Sequence, residues 1–169
     1  ATIGSAFSDV ISKSNMTLSS VELLNEESVP KDAAAIIINA PQKDFNKNDA
    51  QKVIDYLQKG GKAIIVGMYS ETEMPNFASI LDTYGVSLTT GPIADNDARH
   101  YYNMGGPLYL LPNVNSSSYT GSLSGGYVYL PISLGINYPQ NSTTDDTEST
   151  EESTEESKTT YTSLLDTSD

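Results

Sequence analysis

One loop, residues 91–103, concentrates the side chains that could do chemistry: Asp95, Asp97, Arg99, His100, Tyr101 and Tyr102. Arg99 is the only arginine in the chain and His100 the only histidine. An arginine can grip a carboxylate or phosphate through two parallel hydrogen bonds. The loop therefore reads as a binding site for a small anionic molecule or an acidic partner, with Arg99, His100, Asp97 and Tyr101 at its centre. The competing reading is that Arg99 pairs with Asp95 or Asp97 and holds the loop. Asp95, Asp97 and His100 are metal-ligating types, but no metal or other cofactor is expected.

Ser70 is the second candidate. It ends the turn Gly67-Met68-Tyr69-Ser70 after an apolar run, where several α/β hydrolases place a nucleophile. A hydroxyl nucleophile needs a base within hydrogen-bond reach. His100 is the sole imidazole available, with Glu71 or Glu73 left to orient it. The simpler use of Ser70 is to cap the helix that follows; it also stands where a ligand site would form. GxGxxG after a strand, GxxxxGK[ST], GxSxG and HExxH are all absent, so dinucleotide, phosphate-loop, elbow-serine and zinc-protease chemistry lack their motifs. Cysteine is absent too, which removes disulfides, thiolate nucleophiles and thiolate-bound zinc. No catalytic residue is expected.

The 169 residues carry 9 basic and 22 acidic side chains, a formal charge of −13. Residues 141–169 hold nine acids and one base, and residues 1–140 hold thirteen and eight. Such acidity argues against nucleic acid, whose phosphates are neutralised by Lys and Arg. The six lysines between Lys31 and Lys62 read as a solvated helix face. No apolar run approaches the ~20 residues of a membrane helix. The chain opens without Met directly into a helical pattern and stops just after Leu164-Leu165. It reads as an excised soluble segment, any membrane anchor lying outside it.

These residues must be positioned by a recognisable series of elements. Ile3, Phe7, Val10 and Ile11 fall on one helical face over residues 3–14. Residues 16–24 carry apolar Met16, Leu18, Val21 and Leu23 and read as an exposed edge strand. The continuous apolar run at 33–39 suits a strand covered on both faces. Asn46 is a plausible N-cap for a helix carrying Ala50, Val53, Ile54 and Leu57, stopped at Gly60-Gly61. A second apolar run at 62–66, a helix with Phe77, Ile80, Leu81 and Tyr84, and a short strand at 86–88 complete a βαβ series. That order predicts a mostly parallel sheet with helices on both faces, and ligand loops beyond its strand ends at 39–45, 67–73 and 91–103. Past residue 89 the pattern weakens, with short strands at 108–111 and 127–130. The seven tyrosines between Tyr101 and Tyr138 could form a binding surface, or could simply pack their rings and leave their hydroxyls wet. Residues 141–160, almost wholly Ser, Thr, Glu and Asp, read as a disordered loop or linker. Residues 1–140 form the α/β domain and 161–169 a return segment.

Several motifs carry a family resemblance. They are the Pro30…Asp32 step before an apolar strand, INAP..DF at 38–45, YLQKGGK at 56–62, MPNF..IL..YGV at 74–86, ARHYY at 98–102, PLYLLP at 107–112 and LLDTSD at 164–169. In this order the chain resembles the extracytoplasmic domain of the auxiliary components of uncharacterised ABC transport systems, the gliding-motility-associated type. The resemblance implies a flavodoxin-like or class I amidotransferase-like α/β fold, a three-layer sandwich. It implies a location on the outer face of the cell membrane, anchoring by segments outside this chain, and partnership with an ABC permease and ATPase. No catalytic residues or substrate come with it, and amidotransferase-like relatives use a cysteine that is missing here. The leading expectation is a non-enzymatic accessory domain that binds a ligand or partner. The alternatives are a hydrolase or sugar-processing enzyme using Ser70 and His100, and a purely structural interaction module.

Overall fold

The computed structural model describes residues 3–123, 126–139 and 159–168. The chain divides into two compact units, Ala1–Thr83 and Tyr84–Asp169. The first runs α1 (Ser5–Lys13), β1 (Ile36–Asn39), α2 (Lys47–Gln58), β2 (Ala63–Val66) and α3 (Pro75–Asp82).

Local chemistry explains α2. The Asn46 side chain accepts the Asp49 N–H at 2.8 Å, and Asp49 lies in the first turn, where the helix dipole favours a carboxylate. Ala50, Val53 and Leu57 form the buried stripe. Beyond the helix, Gly60 takes φ +86°, a left-handed conformation that costs glycine nothing.

The shorter helix α3 depends on a distant residue. Met74 at its N-cap makes no side-chain cap. Asp44, in the loop after β1, supplies it: one oxygen accepts the Phe77 N–H at 2.9 Å, the other accepts the Asn76 N–H at 3.1 Å and the Asn76 amide at 2.8 Å. The Phe45 and Phe77 rings stack beside it, centroids 6.3 Å apart. Burial pushes the Asp44 carboxyl up, but the N–H groups of Phe77 and Asn76, the Asn76 amide and the Phe45 N–H outweigh it, so its pKa falls below the ordinary value. Asp44→Ala should cost about 1–2 kcal/mol, the usual worth of a cap. Chemical denaturation measures this. Because the folded pKa is depressed, the contribution is present above about pH 4 and fades as acid protonates the folded carboxylate. The variant should therefore lose less stability than the parent between neutral pH and pH ~2.

β1 and β2 pair in parallel, with Ile37 opposite Ile64 and Ile38 opposite Ile65. Ile38 is buried, yet Ile64 and Val66 are 48% and 44% exposed. Ile37 and Ile65 are half-buried, so the pair is not covered on both faces as the apolar runs predict.

The second unit carries β3 (Ser87–Pro92), β4 (Tyr109–Leu110), β5 (Asn113–Val114), β6 (Leu130–Pro131), β7 (Leu134–Asn137) and β8 (Leu165–Asp166). Among its described residues every strand pairing is antiparallel: β3 with β7, β4 with β6, β5 with β8. This overturns the flavodoxin-like or amidotransferase-like three-layer sandwich. The described strands form four two-stranded sheets, and only β1–β2 is parallel. The reason is visible in β3, which reads Ser-Leu-Thr-Thr-Gly-Pro. A strand covered on both faces needs apolar side chains on both; β3 has Leu88 and two threonines. The Thr89 hydroxyl instead donates to the Gly91 carbonyl and accepts the Gly135 N–H across the β3–β7 pair. Residues 16–24 are not a strand, and Met16, Leu18 and Val21 remain exposed.

Apolar burial is uneven. Among the described residues the first unit buries Val29, Ile38, Ala50, Val53, Leu57, Phe77 and Ile80, whereas the second buries Leu110, Pro112 and two polar residues, Asp95 and Thr120. Polar contacts tie its last segment down. Tyr161 stacks on Tyr138 at 5.4 Å and donates to the Tyr84 carbonyl at 2.6 Å. Gly85, φ +65°, leaves room there: a Cβ would stand 3.2 Å from the Tyr161 hydroxyl. Ile132 adopts φ +50° with its side chain half exposed, a conformation that costs a β-branched residue ~1 kcal/mol or more. Ile132→Asn should therefore stabilise the protein by about half a kcal/mol, since asparagine tolerates this region. A lower melting temperature would contradict that. The acidic stretch 141–160 lies outside the described residues except for its last two. No helix of the described residues is long and apolar enough to cross a membrane.

Candidate functional site

The loop before β4 is built from two successive aspartate turns. Asp95 accepts the Asp97 N–H at 2.8 Å, and Asp97 accepts the Arg99 N–H at 2.9 Å. Short polar side chains that bond the backbone two residues on favour such turns. The His100 N–H then closes onto the Asp97 carbonyl at 2.8 Å, and the Leu111 N–H bonds the His100 carbonyl at 2.7 Å. This fixes Arg99 and His100 at the edge of β4.

Of the two readings available for Arg99, the geometry shows the internal pairing. Its Nε lies 3.0 and 3.1 Å from the two Asp97 oxygens, and Nη2 lies 2.5 Å from one of them. The guanidinium and the Arg99 N–H hold the Asp97 carboxyl far below the usual range, and Asp97 in turn raises the guanidinium. The Arg99 side chain is nevertheless 83% exposed, where ion pairs contribute little to stability. Arg99→Ala should let the Asp97 carboxyl return toward its ordinary pKa while the melting temperature barely moves, because the two backbone turns remain. A carboxyl-carbon NMR titration run beside a thermal melt checks both halves.

Asp95 serves a different purpose. It is 2% exposed and accepts three donors: the Asp97 N–H, the Ser168 N–H at 2.8 Å and the Ser168 hydroxyl. Burial pushes its carboxyl up; the two Ser168 donors, the Asp97 N–H and the nearby His100 outweigh that and leave its pKa lowered. His100 Nδ1 is buried 3.7 Å from Asp95, beyond hydrogen-bond length, and makes no hydrogen bond.

Arg99 and His100 stand on the wall of a cleft of about 430 Å³. Its remaining lining includes Asn113, Asn115, Ser116, Thr120 and Tyr127. Asn115 is held by its amide, which donates to the Ser163 carbonyl at 3.2 Å and to Asp166 at 2.5 Å. The Ser163 hydroxyl and that amide hold the Asp166 carboxyl below its ordinary value. Thr120 donates to the Asn115 carbonyl and shares a tight turn with Ser117. Sequence reasoning missed this wall, although the run Asn-Val-Asn-Ser-Ser-Ser at 113–118 is a concentration of side-chain donors and acceptors.

The other candidates fall elsewhere. Tyr101 bridges to Leu110 and is not on the cleft wall. Ser70 belongs to the first unit. Its hydroxyl donates to the Thr72 carbonyl at 3.0 Å and accepts the Thr72 N–H at 3.1 Å. It therefore closes its own turn, and α3 takes its cap from Asp44. Among the described residues no group of three or more acidic, histidine or cysteine side chains could hold a metal ion. Compared with known proteins, the chain matches no family model, no curated protein and no solved structure.

Proposed function

We propose that this chain is a non-enzymatic recognition domain, an extracytoplasmic accessory part of an ABC-type transport system, which binds its ligand or partner through the cleft of the second unit. The observation that supports recognition over chemistry is the state of the ionisable groups at the cleft. Of the two basic residues on its wall, Arg99 is committed to Asp97, and His100 holds its Nδ1 inward, 3.7 Å from an Asp95 already engaged by Ser168 and the Asp97 N–H. Such a wall presents shape and hydrogen-bonding groups without poising a nucleophile against a base. The transport assignment rests on the succession of sequence motifs between residues 30 and 112 and at 164–169.

The neighbouring genes should encode an ABC permease and an ATPase, and co-expression with those two, followed by detergent extraction, tests the assignment. The tagged chain should carry both subunits through purification. Recovery of the chain without either subunit, from membranes that contain both, would overturn it.

A further inference from the structure

We propose that the cleft of the second unit takes an uncharged, hydroxyl-rich ligand, a short neutral saccharide; this rests on the reading of that cleft as a recognition site. Charge is the first reason. In a chain of −13, residues 101–144 contain no Asp, Glu, Lys, Arg or His. Every cleft residue from Leu111 to Tyr127 comes from that stretch. The two that do not, Arg99 and His100, each face a carboxylate of their own loop: Asp97 against the guanidinium, and Asp95 3.7 Å from the imidazole Nδ1. An anion entering the cleft would have to compete with Asp97 for Arg99 and approach against the net negative charge of the protein. A cation would have to displace Arg99 to reach Asp97. A neutral ligand meets neither obstacle.

The hydrogen-bonding groups and the aromatic surface fit the same class. Asn113 brings an amide with both donors and an acceptor, and Ser116 a hydroxyl that does both. Sugar hydroxyls are likewise donors and acceptors at once. Tyr127 is 88% exposed beside them, offering a flat ring to a sugar C–H face and a phenol to its rim, with few rotatable bonds to immobilise. Leu111, Val114 and Leu123 supply the apolar remainder. A volume of about 430 Å³ lies within the range of small-molecule sites.

Titration of the isotope-labelled full chain with maltose, cellobiose and diacetylchitobiose, followed by amide NMR, tests this, with glucuronic acid and glucosamine as charged comparators. At least one neutral disaccharide should shift the amides of residues 113–116 and 126–127 saturably and bind about tenfold more tightly than either charged sugar. Tyr127→Ala and Asn113→Ala should each weaken that binding about tenfold. Both side chains are exposed, so both variants should keep the parent melting temperature, which separates lost contact from lost fold. No shift with any of the three disaccharides at about 10 mM, where even weak complexes populate, would overturn the proposal. So would tighter binding of glucuronic acid, which would point to Arg99 as an anion grip. Co-purification with the permease and ATPase alongside absent sugar binding would overturn the ligand class alone and leave the transport assignment standing.

Discussion

Asp95→Ala should destabilise the second unit by about 3 kcal/mol, because it removes a buried acceptor from three half-buried donors. The side chain is fully enclosed. Its carboxylate joins the Asp97 N–H to Ser168, 73 residues away in the chain. With the carboxylate gone, two backbone N–H groups and a hydroxyl lose their partner, and a cavity replaces the side chain. Hydrogen exchange of residues 161–168 should accelerate with the loss, since that segment is anchored by Asp95, by Tyr161 and by the short β5–β8 pairing. Asp95→Asn should recover only part, because its amide nitrogen is a donor facing donors. The depressed carboxyl sets the pH window. Its contribution is whole above about pH 4, where the unfolded carboxyl is ionised, and is lost as pH falls through the lower folded value. A variant that melts like the parent at pH 7 would show that the return segment is held by its tyrosine and strand contacts alone.

Ile80→Ala should cost about 2–5 kcal/mol, the range for an aliphatic side chain removed from a closed core. Ile80 has no exposed surface and sits in α3 against α2, with Phe77 one turn earlier. The contrast is Ile64, equally apolar in sequence but 48% exposed in β2; Ile64→Ala should cost about 1 kcal/mol or less, because it removes only part of that burial. Urea denaturation of the two variants side by side is decisive. Equal losses would mean that the outer face of β2 is covered in solution.

The contrast shows where reading the sequence succeeds and stops. The helix α2 was legible because its instructions are adjacent: Asn46 and Asp49 at the start, the apolar stripe, Gly60 at the end. The parallel β1–β2 pair was legible because two aliphatic runs flank one helix, a spacing that suits a parallel crossover. The same apolar signal misled about coverage, since a run such as Ala-Ile-Ile-Val does not state which of its faces meets another layer. Residues 16–24 carry apolar side chains enough for an edge strand, yet form none. Their spacing breaks between Leu18 and Val21, and a strand is in any case completed by a partner that such a run does not name.

At the candidate site the sequence by itself determined the loop: two aspartates, each two residues before a backbone N–H they can accept, and a lone Arg-His pair set among them. Those bonds span two residues and follow from side-chain length. Asp97 neutralises Arg99 two residues on, and that contact too is local. Tertiary structure alone decided the partners of the other two carboxylates. Asp95 is turned inward to meet Ser168, and Asp44 crosses to the N-terminus of α3. It also decided that β3 returns to β7 instead of extending a parallel sheet. The Asp95, Asp44 and β3–β7 pairings join residues 32 to 73 positions apart, and such distances leave no periodicity in a chain. They form because a buried donor or acceptor must be matched wherever the fold brings one, and only the folded chain specifies where that is.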